Sequence, residues 1–85
     1  MSSINQYIDD AVTLAKQRAA EFDDVYEMTE ADTPISLTSR AFQNVDAALY
    51  EMEEVDDPDG DYIIESLCDA INLCALALGT LDQLG

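Results

Sequence analysis

At 85 residues the chain is one domain at most, and a hydrophobic content of 48% argues against wholesale disorder. Nineteen Asp and Glu face three bases (Lys16, Arg18, Arg40), giving a net charge of −16 with no histidine. That excludes histidine triads and His-based zinc sites, and argues against direct binding to nucleic acid or anionic membrane, whose phosphates attract Lys and Arg. Such a charge suits cations, basic proteins or concentrated salt.

The first segment runs from about Ser3 to Met28. Ile4, Ile8, Ala11, Ala15, Phe22 and Val25 recur at spacings of three and four, the pattern of an amphipathic helix. Arg18 sits on that stripe and is expected to snorkel out to a carboxylate. Thr33-Pro34 then offers a helix start, a capping hydroxyl followed by proline at the first helical position. The second helix spans about 34–54, with Ile35, Thr38, Phe42, Val45, Leu49 and Met52 as its apolar stripe and Leu37, Ala41 and Ala48 alongside. Asp-Pro and Asp-Gly in VDDPDGD break the chain, and Asp59 or Asp61 can cap a third helix over about 61–84.

The third helix is apolar nearly all round, so it needs neighbours on two sides. The expected architecture is all-α, a single antiparallel three-helix bundle over 1–85, with a homodimer through the third helix left open. Cys68 and Cys74 lie six residues apart on one helix, a rise of about 9 Å on different faces, too far to bridge. Both are expected to be buried thiols, with a disulfide across a dimer as the rival. The N-terminus MSSINQYIDD lacks the basic-then-apolar order of a signal peptide, and the uncharged run Ala70–Leu81 is short of the roughly 20 residues of a span. A soluble cytoplasmic protein without membrane contact is expected.

No catalytic constellation is present in the sequence. There is no glycine-rich phosphate loop, no metal knuckle, and the carboxylates look solvated rather than raised in pKa within a cleft. Neither enzymatic activity nor a cofactor is expected. Asp57-Pro58-Asp59-Gly60-Asp61 resembles the middle of a calcium loop, but aligning Gly60 with the loop glycine puts Val55 and Ser66 at the first and last ligand positions. The expectation there is a helix-capping turn with no metal.

The acids themselves are the most informative feature. Eight lie between Glu51 and Glu65 with no base among them, and a second cluster runs from Glu21 to Asp32. Both begin at helix C-termini, where the macrodipole disfavours negative charge by about 0.3–1 kcal/mol per exposed acid. Residues that break a local rule without structural gain are candidates for function. The candidate partner-binding residues are Asp46, Tyr50, Glu51, Glu53, Glu54, Asp56 and Asp57, with Asp23, Asp24 and Glu27 from the first cluster. Asp46, Tyr50, Glu53 and Asp57 follow one another at helical spacing beside the Phe42–Val45–Leu49 stripe.

In size, charge and helical character the whole chain resembles the small acidic inhibitors encoded by phages and mobile elements. These are DNA mimics that block restriction enzymes, CRISPR effectors or other nucleic-acid-binding proteins. The resemblance implies a non-enzymatic, stoichiometric antagonist of host defence that occupies the basic surface of a nucleic-acid-binding protein in the host cytoplasm. The alternative is a helical adaptor or regulator working through an apolar helix face, marked by a large exposed apolar patch. Salt adaptation is a third reading, since Asp outnumbers Glu 12 to 7 and Lys is nearly absent; it calls for acid on every exposed face.

Overall fold

The computed structural model describes residues 3–21 and 32–81, which form three helices: α1 (Ile4–Glu21), α2 (Pro34–Glu54) and α3 (Gly60–Gly79). The protein is an all-α bundle, with no strand among the described residues. α3 is the middle helix. α2 packs closely along one side of it and α1 along another, while α1 and α2 do not pack closely on each other.

The caps explain where the helices begin. Thr33 and Ser36 form a reciprocal box: the Ser36 N–H donates to Thr33 Oγ1 at 3.1 Å and the Thr33 N–H donates to Ser36 Oγ at 3.0 Å. Pro34 follows at the first helical position, where its missing N–H leaves nothing unpaired. Asp59 caps α3 by accepting from the N–H groups of Asp61 and Tyr62 through Oδ1 at 3.0 and 3.3 Å. α3 ends at Gly79 rather than near residue 84. The Thr80 N–H turns back onto the carbonyls of Leu76 and Ala77 at 3.1 and 3.2 Å, closing the last turn. Residues 82–85 lie outside the described residues, as does the segment 22–31 into which the first helix was expected to run.

Helices α2 and α3 meet along a seam of mostly small side chains, with Leu37 and Leu73 among them. Leu37 and Ala41 pack against Leu73 and Ala77, with Leu76 against the cluster, and Ala48, Ser66 and Ala70 are buried too. Among the described residues Leu37 is the largest side chain fully withdrawn from solvent. This corrects the sequence reading of α2. The stripe of larger residues, Ile35, Thr38, Phe42, Val45, Leu49 and Met52, is exposed, and the Leu–Ala stripe beside it makes the core. Small residues win the seam because they let two helices approach until backbone and side-chain atoms touch, which bulky residues would prevent.

α1 crosses another side of α3, where buried Ala15 and Cys68 lie beside a set of polar contacts. The Arg18 guanidinium donates twice to Asp69, Nε to Oδ1 at 3.0 Å and Nη2 to Oδ2 at 3.3 Å, and its Nη1 lies 3.9 Å from Glu65 Oε1. Asn72 Nδ2 donates to the Ala15 carbonyl at 3.0 Å. Arg18 thus finds the carboxylate its position on the stripe demanded. Matching Ala15 to Asn72 and Arg18 to Asp69 makes α1 antiparallel to α3. Ile8 is then level with the end of α3 and Ile4 overshoots it, so both are exposed although they share the stripe of buried Ala15.

By length and composition α3 could cross a bilayer, since an 18-residue stretch of it is apolar enough despite Glu65 and Asp69. The expectation of no span counted only the shorter uncharged run. In the fold α3 is the central helix, and Asp69 at its middle is held by Arg18.

Candidate protein-binding surface

Two neighbours cover two sides of α3, and among the described residues a third side stays bare. Leu67, Ile71, Cys74 and Leu78 recur at helical spacing and all are exposed. Each lies one residue, or about 100° of helical rotation, beyond the buried line Ser66, Ala70, Leu73, Ala77. On α2 the exposed stripe Phe42, Val45, Leu49 stands one residue beyond the line of buried Ala41, half-buried Asn44 and buried Ala48. In antiparallel helices the same rotation from a shared seam points both stripes to the same side. The two stripes therefore form one apolar face along the α2–α3 hairpin. The lining of the surface agrees: Thr38 of α2 shares a groove of about 310 Å³ with Cys74, Ala77, Leu78 and Leu81. A second groove joins Pro34, Ile35 and Thr38 to Leu81. Ile35, Phe42 and Leu78 are 72%, 70% and 71% exposed, values that single scattered residues can show but a contiguous face on a monomer rarely does.

The candidate acids lie at one end and along one edge of this face. Asp46, Tyr50 and Glu53 form a flank of α2 next to the apolar stripe on the side away from α3, and all are exposed, Tyr50 by 62%. Asp57 does not belong to that flank, because α2 stops at Glu54 and Asp57 sits in the bend that follows. Glu53, Glu54, Asp56 and Asp57 are exposed, and no ion pair holds any of them among the described residues.

Glu51 differs: its Oε2 accepts the Asp59 N–H at 3.1 Å, tying the end of α2 to the start of α3. Together with the Asp59 cap, Asp61 in the first turn of α3 and Glu65 beside Arg18, half of this acid run has a structural reason. Asp23, Asp24 and Glu27 fall outside the described residues. The opposite end of the hairpin, residues 34–45 against 70–81, contains no acid. The charge of the hairpin is thus polarised, which does not match the even spread that salt adaptation calls for.

The turn at 55–59 serves as a cap, and among the described residues no group of three His, Cys, Asp or Glu could hold a metal ion. The cysteines part company. Both are free, Cys68 buried as expected and Cys74 exposed on the apolar face, against expectation. Burial pushes the Cys68 thiol above its ordinary 9.0; Asp69 adds to the rise and Arg18 opposes it. The folded chain keeps this proton after the unfolded chain has lost it. The resulting stabilisation is fully present below about pH 9 and is lost as the pH climbs through the higher folded value. A maleimide is therefore expected to label Cys74 quickly and Cys68 only on unfolding, and Cys68→Ala should flatten the fall of stability in alkali. Equal labelling of both thiols in the native state would contradict their placement.

The large exposed stripe of α2 was visible in the sequence but assigned to the wrong side of the helix. A signal for it exists in six dipeptides, Pro34-Ile35, Ala41-Phe42, Ala48-Leu49, Ser66-Leu67, Ala70-Ile71 and Ala77-Leu78, each a buried small residue followed by an exposed large one. No protein-family model, curated protein or solved structure matches this chain, so the reading of the face rests on these residues alone.

Proposed function

We propose that this chain is a non-enzymatic protein that acts in the cytoplasm by stoichiometric binding to a basic protein partner. One observation carries the reading: the α2–α3 hairpin leaves a contiguous apolar face uncovered and sets exposed carboxylates along its edge and at one end. Interfaces draw affinity from a desolvated apolar centre and draw selectivity and speed of association from complementary charge at the rim. A bilayer is the poorer partner, because a chain of net charge −16 is repelled by anionic headgroups.

A second reading is favoured by the exposed group Glu53, Glu54, Asp56 and Asp57 with Tyr50 nearby. Here those acids stand in for nucleic-acid phosphates, which lie at about one charge per 1.7 Å of duplex, and occlude a nucleic-acid site. On this reading the protein is a DNA-mimic antagonist of anti-CRISPR or anti-restriction type.

Capture of partners from host lysate by the tagged chain, challenged with salt and with competitor DNA, tests both. A basic partner released by E53Q/E54Q/D56N/D57N or by Phe42→Asp supports stoichiometric binding. Displacement by DNA favours mimicry; retention in DNA and in high salt favours the apolar face. A partner indifferent to both sets of changes would remove the proposal.

A further inference from the structure

We propose that the α2–α3 face is the seat of one cationic amphipathic helix from the partner, lying with its N-terminal end over the α2–α3 connector and running alongside α3. This deepens the reading of stoichiometric binding and rests on it.

The shape comes first. Two antiparallel helices joined along a close seam leave a shallow valley between them on each side, and an amphipathic helix fits such a valley by its i, i+3, i+4, i+7 residues. α1 lies on the other side of α3, where it meets Asp69 and Asn72, so among the described residues nothing covers this valley. Its walls are Phe42 and Leu49 on α2 and Leu67, Ile71 and Leu78 on α3, all exposed. From Ile35 to Met52 the valley is about 26 Å long at 1.5 Å per residue, the length of about five turns of helix.

Charge selects the occupant. The rim carries Asp46 and Glu53, and the connector end adds Glu54, Asp56, Asp57 and Asp61, all exposed. A second copy of the chain would bring another −16 and the same acidic end, so a homodimer through this face works against Coulomb repulsion. A helix with Lys or Arg flanking its apolar stripe meets complementary charge instead.

Polarity sets direction. The connector end is acidic, whereas 34–45 and 70–81 carry no acid of their own; at that end Asp32 is paired with Arg40, and Asp9 and Asp10 lie on α1, across α3 from the valley. A helix has a positive N-terminus and a negative C-terminus, so it is favoured with its N-terminus over the acids. Its basic residues then belong in its N-terminal half.

The test uses the full chain and fluorescein-labelled synthetic peptides of about 18 residues, long enough to fill the valley. One carries leucines at helical spacing with lysines in its N-terminal half. The other places the same lysines in its C-terminal half. Binding is followed by anisotropy at low and moderate salt. The first peptide is expected to bind, and the second to bind at least about fivefold more weakly, since only the first aligns both charge and dipole.

Phe42→Asp with Leu78→Asp should weaken the first peptide by more than about tenfold, as loss of central anchors does. The milder pair Phe42→Gln and Leu78→Gln should weaken it in the same direction, and circular dichroism confirms that the helices persist. Equal binding of the two peptides overturns the direction. Binding untouched by either face pair overturns the groove; if E53Q/E54Q/D56N/D57N then abolishes it, basic-protein binding survives without a groove. If neither set of changes matters, the functional reading fails as well. Self-association that the face variants abolish would make a second copy the occupant and overturn the proposal.

Discussion

Leu37→Ala is expected to lower the stability of this protein by about 2–4 kcal/mol, the range for truncating a buried leucine whose surroundings relax only in part. Leu37 has no exposed surface; among the described residues it is the largest side chain wholly enclosed, packed with Leu73 and the alanines of the seam. An 85-residue domain has only a few kcal/mol in hand. Repulsion among its carboxylates lowers that further, so the variant should be largely unfolded at 37 °C. Phe42→Ala removes a bigger side chain and is expected to change stability by less than about 1 kcal/mol, because Phe42 is already 70% exposed. Urea denaturation of both variants reads the difference. If Phe42→Ala proves the more damaging, α2 buries its large stripe after all and the apolar face does not exist.

The second large effect concerns the contact between α1 and α3. Arg18→Met is expected to cost about 1–3 kcal/mol, since it leaves the half-buried Asp69 carboxylate without its two-pronged partner. The arginine and aspartate side chains keep about a fifth of their surface in solvent, 21% and 24%, which holds the figure below that of a fully buried pair. The double variant R18M/D69L should recover most of that loss, or exceed the parent, because two apolar side chains avoid the desolvation of two charges. Urea midpoints of parent, single and double variants give the coupling directly. A single variant as stable as the parent would mean that α1 is held by something other than this pair.

The sequence was legible wherever one local rule acted alone. Thr33-Pro34 and Asp59 announce their helix starts because capping needs only a side-chain oxygen at the right step. The all-round apolar character of the third helix announced a central position, and α3 does lie between the other two. Arg18 on an apolar stripe implied a carboxylate partner, though not which one. The failures share a cause. Periodicity reports that two adjacent stripes of α2 are apolar but not which of them touches α3; that depends on how closely the backbones approach. It cannot tell a buried thiol from an exposed one on a helix with three apolar sides, so Cys74 was misplaced. Nor does it show that Glu51 reaches across a turn to the Asp59 N–H, which gives one acid at a helix C-terminus a structural purpose.

The alternation of buried small residues with exposed large ones has a consequence for how this chain tolerates mutation. At Ala41, Ala48, Ala70 and Ala77 enlargement is what the fold cannot accept, since any added methyl pushes two helices apart. At the very next positions folding asks for less: Phe42 and Leu78 keep 70% and 71% of their surface in solvent, Leu49 and Ile71 45% and 37%. A requirement for a large apolar residue at Phe42 or Leu78 is expected to come from outside the molecule. Loss of folding and loss of the proposed partner binding are thus expected to separate one residue apart, at Ala41 and Phe42 and again at Ala77 and Leu78. A single-residue insertion in α2 just before Ala41 would bring Ala41 to the register of Phe42 and turn the next stretch of the helix by about 100°, setting the exposed stripe and the packing stripe in conflict.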